Sequence, residues 1–423
     1  MKKNKKKILS LILIAVMMFS LISCGDPGSS NGNRDTNFNG STGSGTSGEM
    51  DGNGTGDIVL GFIGSMTGED EIYGYVAWGA IKMAVDRINE AGGVAGHTIV
   101  LKQYDDRADG VEAVNCCRKA ILDDHCVAII TASSSAGLIS INSVLEEYKV
   151  PCIAYAIGSE LITRTESGET RPYMFRVNTT ASQCTTVIGQ YAADVMGLKT
   201  AAIFYDISRT DGADGVTYFT NGFEEKGGQI VQVESYRSGD VDFRAQISSF
   251  KSKGGFEAIY SAAKYTELGL VANQLKELGV ETQLIGDRSW MMLDLFKVAG
   301  DNLEGAVFPS DIDFNDAKFS DFNKEFEELW DVHPGVAVGT DAYCIQDACM
   351  ILWNAIEKVA EAGDAITGEN IRDSIENNSQ KVDCFTDTIS IDPETHNVRR
   401  SMGIFEIQSQ DFVRIDSYDV TFG

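Results

Sequence analysis

The feature that most constrains this chain is an alternation, from residue 57 onward, between segments patterned as buried strands and segments patterned as helices. Residues 58–63 (IVLGFI) form a continuous apolar run, which is typical of a strand buried on both faces. Apolar residues then recur at helical spacing between Trp78 and Ile88, and Gly92 and Gly93 end that pattern. This order predicts a parallel sheet with helices on both faces.

The same alternation continues along most of the chain and divides into two series. The first series ends near Arg176, and the second begins with a predicted helix over 183–196 and a predicted strand over 200–205. Two long helical patterns, over 315–330 and 340–362, then precede a β-rich tail. We therefore predict an α/β protein with two doubly wound parallel-sheet lobes.

Length and charge restrict the class of function. A chain of 423 residues is long enough for two or three domains. Its 62 acidic residues against 35 basic ones give a formal net charge of -27, which disfavours nucleic acid, because phosphates are neutralised by Lys and Arg. No nucleophile motif, phosphate loop or metal-ligand spacing is present, and the four His residues are scattered. We expect no enzymatic activity, no cofactor and no metal.

The N-terminus has the pattern of an export signal. A lysine-rich start is followed by an apolar run over 8–22, which is shorter than the roughly 20 residues of a membrane-spanning helix. Residues 21–24 (LISC) resemble the bacterial lipobox, in which the cysteine is acylated and becomes the mature N-terminus. We predict a signal peptide over 1–23, a lipidated Cys24, and a flexible Gly/Ser/Asn tether over 24–56. The alternative is an ordinary signal peptide with an incidental cysteine.

Export permits disulfides, so the other eight cysteines need their own interpretation. Several of them lie in apolar strand or helix patterns, where a free cysteine behaves as a small hydrophobe. We expect most of these thiols to be reduced and buried. They are Cys116, Cys117, Cys126, Cys152, Cys184, Cys344, Cys349 and Cys384.

Several closely spaced motifs carry a family resemblance. They include residues 61–68 (GFIGSMTG), 88–96 (INEAGGVAG), 104–106 (YDD), 133–135 (SSS) and 286–287 (GD). With them, the chain from Asp57 to about Ile415 resembles the type I periplasmic-binding fold, and within it the substrate-binding proteins of branched-chain amino-acid ABC importers.

The resemblance implies two lobes that are joined by three crossovers and close around a small ligand. One lobe would comprise residues 57–176 and 310–382, and the other residues 177–309 and 383–423. The implied function is extracytoplasmic capture of an amino acid or related small carboxylate and its delivery to an ABC permease. A ligand-sensing receptor of the same fold is the alternative. We expect a monomer that is lipid-anchored to the cell membrane, which would suit a Gram-positive envelope.

In the first lobe, the resemblance assigns ligand contacts to residues that follow strands. Ser134 would hold the ligand α-carboxylate, although a serine there is equally suited to cap a helix. Ala156, with Gly158 or Ser159, would offer backbone groups and a hydroxyl to the carboxylate and the ammonium. Tyr73 would be an aromatic gate, and its alternative is a surface tyrosine in a loop.

In the second lobe, the sequence departs from the family's amino-acid pattern. Asp211 stands near the position of a stacking Tyr, and Lys264 or Tyr265 near that of another. Arg288, beside Asp287, stands where an acidic residue usually pairs with the ammonium. If Lys264 and Arg288 faced the cleft, they would suit a second carboxylate on the ligand. Alternatively, Asp287 makes the ammonium pair and Arg288 is solvated.

Overall fold

The computed structural model describes residues 56–68, 70–155, 159–263, 265–313, 315–335, 340–379 and 381–418. The predicted signal peptide, Cys24 and nearly all of the tether lie outside these residues. None of the helices in the described part combines the length and the apolar character that crossing a bilayer requires.

The first sheet is built from the N-terminal series of strands. The strands are Ile58–Gly64 (β1), Ile99–Asp105 (β2), Ala128–Ala132 (β3), Cys152–Ala154 (β4) and Met174–Arg176 (β5). Their order in the sheet is β2-β1-β3-β4-β5, and every neighbouring pair is parallel. The interior strand β1 is buried along nearly all of its length, as its apolar run predicts.

The second sheet combines five parallel strands with two C-terminal antiparallel ones. The strands are Thr200–Asp206 (β6), Gln229–Tyr236 (β7), Ala258–Ser261 (β8), Gln283–Gly286 (β9), Val307–Ser310 (β10), Met402–Gln408 (β14) and Asp411–Tyr418 (β15). Their order in the sheet is β15-β14-β10-β9-β8-β6-β7, and β14 and β15 form an antiparallel hairpin beside β10. The predicted pair of parallel α/β lobes is thus confirmed at the level of fold.

Helices connect the parallel strands and cover the sheets. Those of the described residues are Glu71–Glu90 (α1), Gly110–Leu122 (α2), Ser135–Tyr148 (α3), Ala181–Asp194 (α4), Thr210–Glu225 (α5), Arg244–Lys253 (α6), Tyr265–Glu277 (α7), Leu295–Ala299 (α8), Ser320–Trp330 (α9), Asp341–Ala362 (α10) and Gly368–Asn378 (α11). The helix predicted from residue 315 begins at Ser320, because Asp316 first caps a short 3₁₀ turn by accepting a hydrogen bond from the Lys318 amide at 3.0 Å. The long helix α10 packs against α1 and against the buried strands β3 and β4.

A small antiparallel sheet precedes the final hairpin. It consists of Val382–Asp383 (β11), Thr388–Ile391 (β12) and Val398–Arg399 (β13). This segment contacts elements around the first sheet: the His396 ring stacks on Phe175 at 4.2 Å, and the His396 carbonyl accepts a hydrogen bond from the Arg176 amide at 2.9 Å. The Thr386 amide likewise donates to Asp347 of α10 at 2.8 Å.

The chain passes three times between the second sheet and the elements packed around the first sheet, in segments that follow β5, β10 and β13. One residue from each segment meets at a single carboxylate. Thr179 donates to Asp311 Oδ2 from its amide at 3.2 Å and from its hydroxyl at 2.8 Å. Arg400 Nη1 lies 3.9 Å from the same oxygen. Asp311 therefore ties the three connections together.

Candidate ligand-binding site

The serines that follow β3 occupy the start of a helix. Ser134 has extended backbone angles, and its Oγ accepts a hydrogen bond from the Gly137 amide at 3.2 Å, so it is the N-cap of α3. The capping role weighed for Ser134 is thus present in the structure, and its ligand role stays a prediction. Ser133 is buried, and its Oγ has no hydrogen-bond partner among the described residues.

A cavity of about 240 Å³ opens beside these serines, beyond the carboxyl ends of β1, β3 and β4. Ligands of open parallel sheets bind at such a position, where helix N-termini present free amides. The cavity brings together two residues that the sequence assigns to the ligand, Tyr73 and Ser134. Its lining consists of Ser65, Asp70, Tyr73, Ala132, Ser133, Ser134, Ser135, Tyr155 and Asp341.

A tight backbone contact positions Tyr73. It lies in the first turn of α1, and its side chain is 40% exposed. The next residue is Gly74, where a Cβ atom would lie 2.0 Å from the carbonyl oxygen of Ser65. Only glycine therefore lets the start of α1 approach the segment after β1 this closely, and this approach brings Ser65 and Tyr73 to the same cavity.

Two buried polar side chains of this lining, Tyr155 and Asp341, were not predicted from the sequence. Asp341 is the first residue of α10 and is 3% exposed. Its Oδ1 accepts a hydrogen bond from the Tyr155 hydroxyl, and its Oδ2 is buried without a partner among the described residues. A charged residue at the start of an apolar helix is the signal that could have identified it.

Burial and neighbouring groups shift the pKa values of both Tyr155 and Asp341. Burial raises the pKa of Asp341 to about 7, against the opposing effects of the Tyr155 hydrogen bond and the Arg288 charge. Burial, together with the neighbouring Asp341, raises the pKa of Tyr155 well above its ordinary value. Tyr155 therefore stays protonated and donates, whereas Asp341 can change its charge near neutral pH.

The structure does not bring Asp287 or Arg288 to this cavity. Asp287 Oδ1 accepts the Ser289 amide at 2.8 Å and thereby caps a short 3₁₀ turn. Arg288 donates to the Thr179 carbonyl at 3.2 Å and lies 3.9 Å from Asp311 Oδ2, with its side chain 15% exposed. The alternative of a solvated Arg288 is therefore wrong, because the side chain is buried among the interlobe connections.

The pKa of Arg288 is consistent with its position beside Asp311. Burial alone would lower its pKa, but the coulombic effects of Cys184, Asp311 and other neighbours outweigh burial and raise it above the ordinary value. Arg288 is therefore a permanent cation within the crossover network, with Asp311 as its nearby anion.

The other predicted ligand residues divide into two groups. Ser159 caps a 3₁₀ turn by accepting the Leu161 amide at 3.2 Å, and its carbonyl accepts a hydrogen bond from Arg176. The remaining predictions lie outside what the structure describes, either wholly or at the level of the side chain. They are Ala156, Gly158 and Lys264, and the side chains of Asp211 and Tyr265.

A second and larger cavity, of about 460 Å³, lies near the start of α4. Its polar side chains are largely engaged with one another: Ser182 donates to Glu160 at 2.5 Å, and Arg399 donates to Asp392 at 2.8 Å. None of the predicted ligand residues lines it. The smaller cavity is therefore the better candidate site. Among the described residues, no group of His, Cys, Asp and Glu could hold a metal ion.

Two sheets joined by three connections, with a cavity beyond the strand ends, define a two-lobed binding protein. The chain belongs to the periplasmic binding protein family, whose model matches residues 57–411. An amino acid binding protein from Pseudomonas aeruginosa is 27% identical over 245 residues, which cover 58% of this chain and 64% of that relative. The matched stretch is thus slightly under two thirds of that protein.

Two further comparisons agree with this membership. A Leu/Ile/Val-binding protein homolog from Brucella melitensis is 27% identical over 256 residues, covering 60% of this chain and 67% of that protein. The crystal structure of a leucine binding protein from Thermotoga maritima superimposes with a TM-score of 0.67 at 25% identity, and it covers 86% of this chain and 99% of its own. All three of these relatives are named as binding proteins for amino acids.

Proposed function

We propose that this protein captures an amino acid or a related small carboxylate outside the cytoplasm and delivers it to an ABC permease. The observation that carries the proposal is the cavity beyond β1, β3 and β4, where Tyr73 and Ser134 meet in a chain of the periplasmic binding protein family. The amides at the start of α3 and the serine hydroxyls suit a carboxylate, since helix N-termini favour negative charge.

Capture would proceed by closure of two lobes. Sheet membership supports a first lobe that begins at residue 57 and a second that contains β6 to β10 and the C-terminal hairpin. Residues 382–399 contact Phe175, Arg176 and α10, so we place the last crossover near Arg400 rather than near residue 382. Closure desolvates the ligand's charged ends, and the difference in ligand affinity between open and closed forms drives it.

The N-terminal sequence supports an anchored location. The lipobox-like residues before Cys24 and the Gly/Ser-rich tether would place the folded part on the order of 30 Å from a membrane, given a reach of about 5 to 6 Å times the square root of the tether length. We propose a lipid-anchored monomer of a Gram-positive envelope.

A thermal-shift panel on the purified protein tests the proposal. The panel contains amino acids, dicarboxylates, aromatic acids, amides and short peptides. A ligand at 100 times its dissociation constant stabilises the folded state by about 2.7 kcal/mol, which raises the melting temperature measurably. If no small molecule in the panel shifts the melting temperature, the capture function is refuted.

The variant Tyr73→Ala tests whether the ligand binds in the cavity that Tyr73 lines. We expect it to weaken the ligand found in the panel roughly 10-fold, because an aromatic contact is removed, and to change stability little, since Tyr73 is half-exposed. Tyr75→Ala is the matched control: Tyr75 is 39% exposed on the same helix, but it contacts Trp330 instead of the cavity. Equal ligand affinities for the two variants would place the site elsewhere.

A further inference from the structure

The cavity contains a carboxylate whose hydrogen-bonding capacity is only half used. Asp341 is 3% exposed, Tyr155 occupies its Oδ1, and its Oδ2 has no partner within the described part of the chain. A buried polar atom without a partner is costly, and natural structures usually supply one. Oδ2 of Asp341 is therefore suited to a hydrogen-bond donor that enters the cavity.

The rest of the lining indicates which donor this is. Ser133 and Ser134 lie at the start of α3, on the side suited to a carboxylate, and Asp341 supplies negative charge in the same small space. The described lining contains two carboxylates, Asp341 and the exposed Asp70, and neither lysine nor arginine. Such a cavity favours a molecule that carries one anionic end and one cationic end.

We infer that Asp341, held in place by Tyr155, binds the ammonium group of an amino-acid ligand. This inference rests on the proposed capture function and assigns the ammonium partner to the first residue of α10, instead of to the second-lobe position that Arg288 occupies. It also disfavours a ligand with a second carboxylate, because Arg288 is engaged with Thr179 and Asp311.

The test compares amino acids with the carboxylic acids that lack their amino groups, for example leucine with 4-methylpentanoic acid. Calorimetric titration gives both affinities for the wild-type protein and for Asp341→Asn. The asparagine keeps an oxygen acceptor for Tyr155 and removes the charge. We expect the amino acid to bind Asp341→Asn roughly 10- to 150-fold more weakly, as for a lost charge-assisted hydrogen bond, while the acid without an amino group keeps or improves its affinity.

Asp86→Asn is the matched control, because it removes a half-exposed carboxylate of α1 that lies outside the cavity lining. We expect it to change the affinity for the amino acid less than threefold. If Asp341→Asn retains the wild-type preference for the amino acid, or if the wild-type protein binds only the acids without amino groups, the inference is overturned while the capture function stands. If neither series binds and the wider panel is also silent, the capture function itself fails.

Proton release provides a test that needs no variant. Within the described part of the chain, the titratable and charged groups around Asp341 are Tyr155 after β4, Arg288 after β9 and Asp311 after β10, and Asp70 and Tyr73 near the start of α1 share its cavity lining. Burial raises the pKa of Asp341, and an arriving ammonium would lower it, so amino-acid binding should release protons over the pH range in which Asp341 titrates. Titrations in buffers of different ionisation enthalpy measure the number of protons released. No proton release on amino-acid binding at any pH between about 4 and 8 would overturn the inference even if Asp341→Asn failed to fold.

Discussion

Replacement of Asp311 should destabilise the fold far more than replacement of any surface carboxylate. Asp311 is fully buried where the three connections between the sheets meet, and it accepts two hydrogen bonds from Thr179. Arg288 and Arg400 each lie 3.9 Å from its Oδ2. Asp311→Asn keeps an acceptor for Thr179 but leaves both guanidinium groups without this anion.

The expected magnitude follows from the burial of these partners. Removing one member of a buried ion pair costs about 3 to 5 kcal/mol, because the remaining charge stays desolvated. The two 3.9 Å separations exceed hydrogen-bond length, and Arg400 keeps Asp347 at 3.1 Å. We therefore expect a loss near the lower end, about 3 kcal/mol in the free energy of unfolding.

Urea denaturation of wild-type protein and Asp311→Asn at pH 7 measures this loss. Asp86→Asn is the control, since Asp86 pairs with Lys82 on the surface of α1 with both side chains about half-exposed, and it should change stability by less than about 0.5 kcal/mol. A loss below about 1 kcal/mol for Asp311→Asn would refute the idea that this carboxylate holds the connections together.

The pH dependence of the same variant has a defined sign. Burial alone would raise the pKa of Asp311, but Arg288 and Arg400 outweigh it and hold the pKa below its ordinary value. A carboxyl with a lowered folded-state pKa stabilises the fold above its unfolded pKa of about 3.9, and this stabilisation is lost as pH falls through the folded-state pKa. The part of the stability difference that comes from the Asp311 charge should therefore be retained down to about pH 5 and shrink below about pH 4.

Two further predictions concern packing. Gly74→Ala should lower the free energy of unfolding, measured by urea denaturation, by about 2 to 3 kcal/mol and weaken ligand binding, because the added Cβ would overlap the Ser65 carbonyl. Gly110→Ala is the control, since the nearest contact of its Cβ would be 3.5 Å, and it should change stability little. Equal losses of stability in the two variants would contradict this reasoning. The described cysteines should react slowly with a thiol reagent at pH 8 and rapidly in concentrated urea, because burial raises, for example, the pKa of Cys117 to about 12. Prompt labelling of several thiols in the folded protein would argue against their burial.

The sequence predicts strands well where a strand is buried on both faces. The apolar run over 58–63 corresponds to β1 at Ile58–Gly64, because burial between two helical layers demands continuous apolar residues. The three-residue strand β5 was not predicted, since Met174–Arg176 is too short to show a period and ends in a charged residue. Burial of the cysteines was predicted from the same apolar patterns, and it is observed for all of the eight except Cys384, which is half-buried.

Some site residues lie in local sequence motifs, whereas others meet only through packing between distant parts of the chain. Tyr73 and Ser134 lie within motifs beside strand ends, and the structure brings both to one cavity. Tyr155 and Asp341 are separated by 186 residues, so their contact depends on how α10 packs across the first sheet, which no local pattern encodes. Arg288 was assigned to the cleft from its position in the chain, yet the folded structure engages it with Thr179 and Asp311.

Asp311 and Asp341 show how two buried carboxylates of one protein can be distinguished by their partners. Asp311 has two nearby guanidinium groups and two donors from Thr179, and its pKa is lowered, so its charge is already compensated within the protein. Asp341 has one donor, Tyr155, and a pKa raised to about 7, while each of the two carboxylates leaves one oxygen without a partner among the described residues. Burial is common to both, so the difference lies in the compensation. The surroundings of Asp311 are those of a structural charge. The surroundings of Asp341 suit a binding-site residue whose compensating charge would arrive with the ligand.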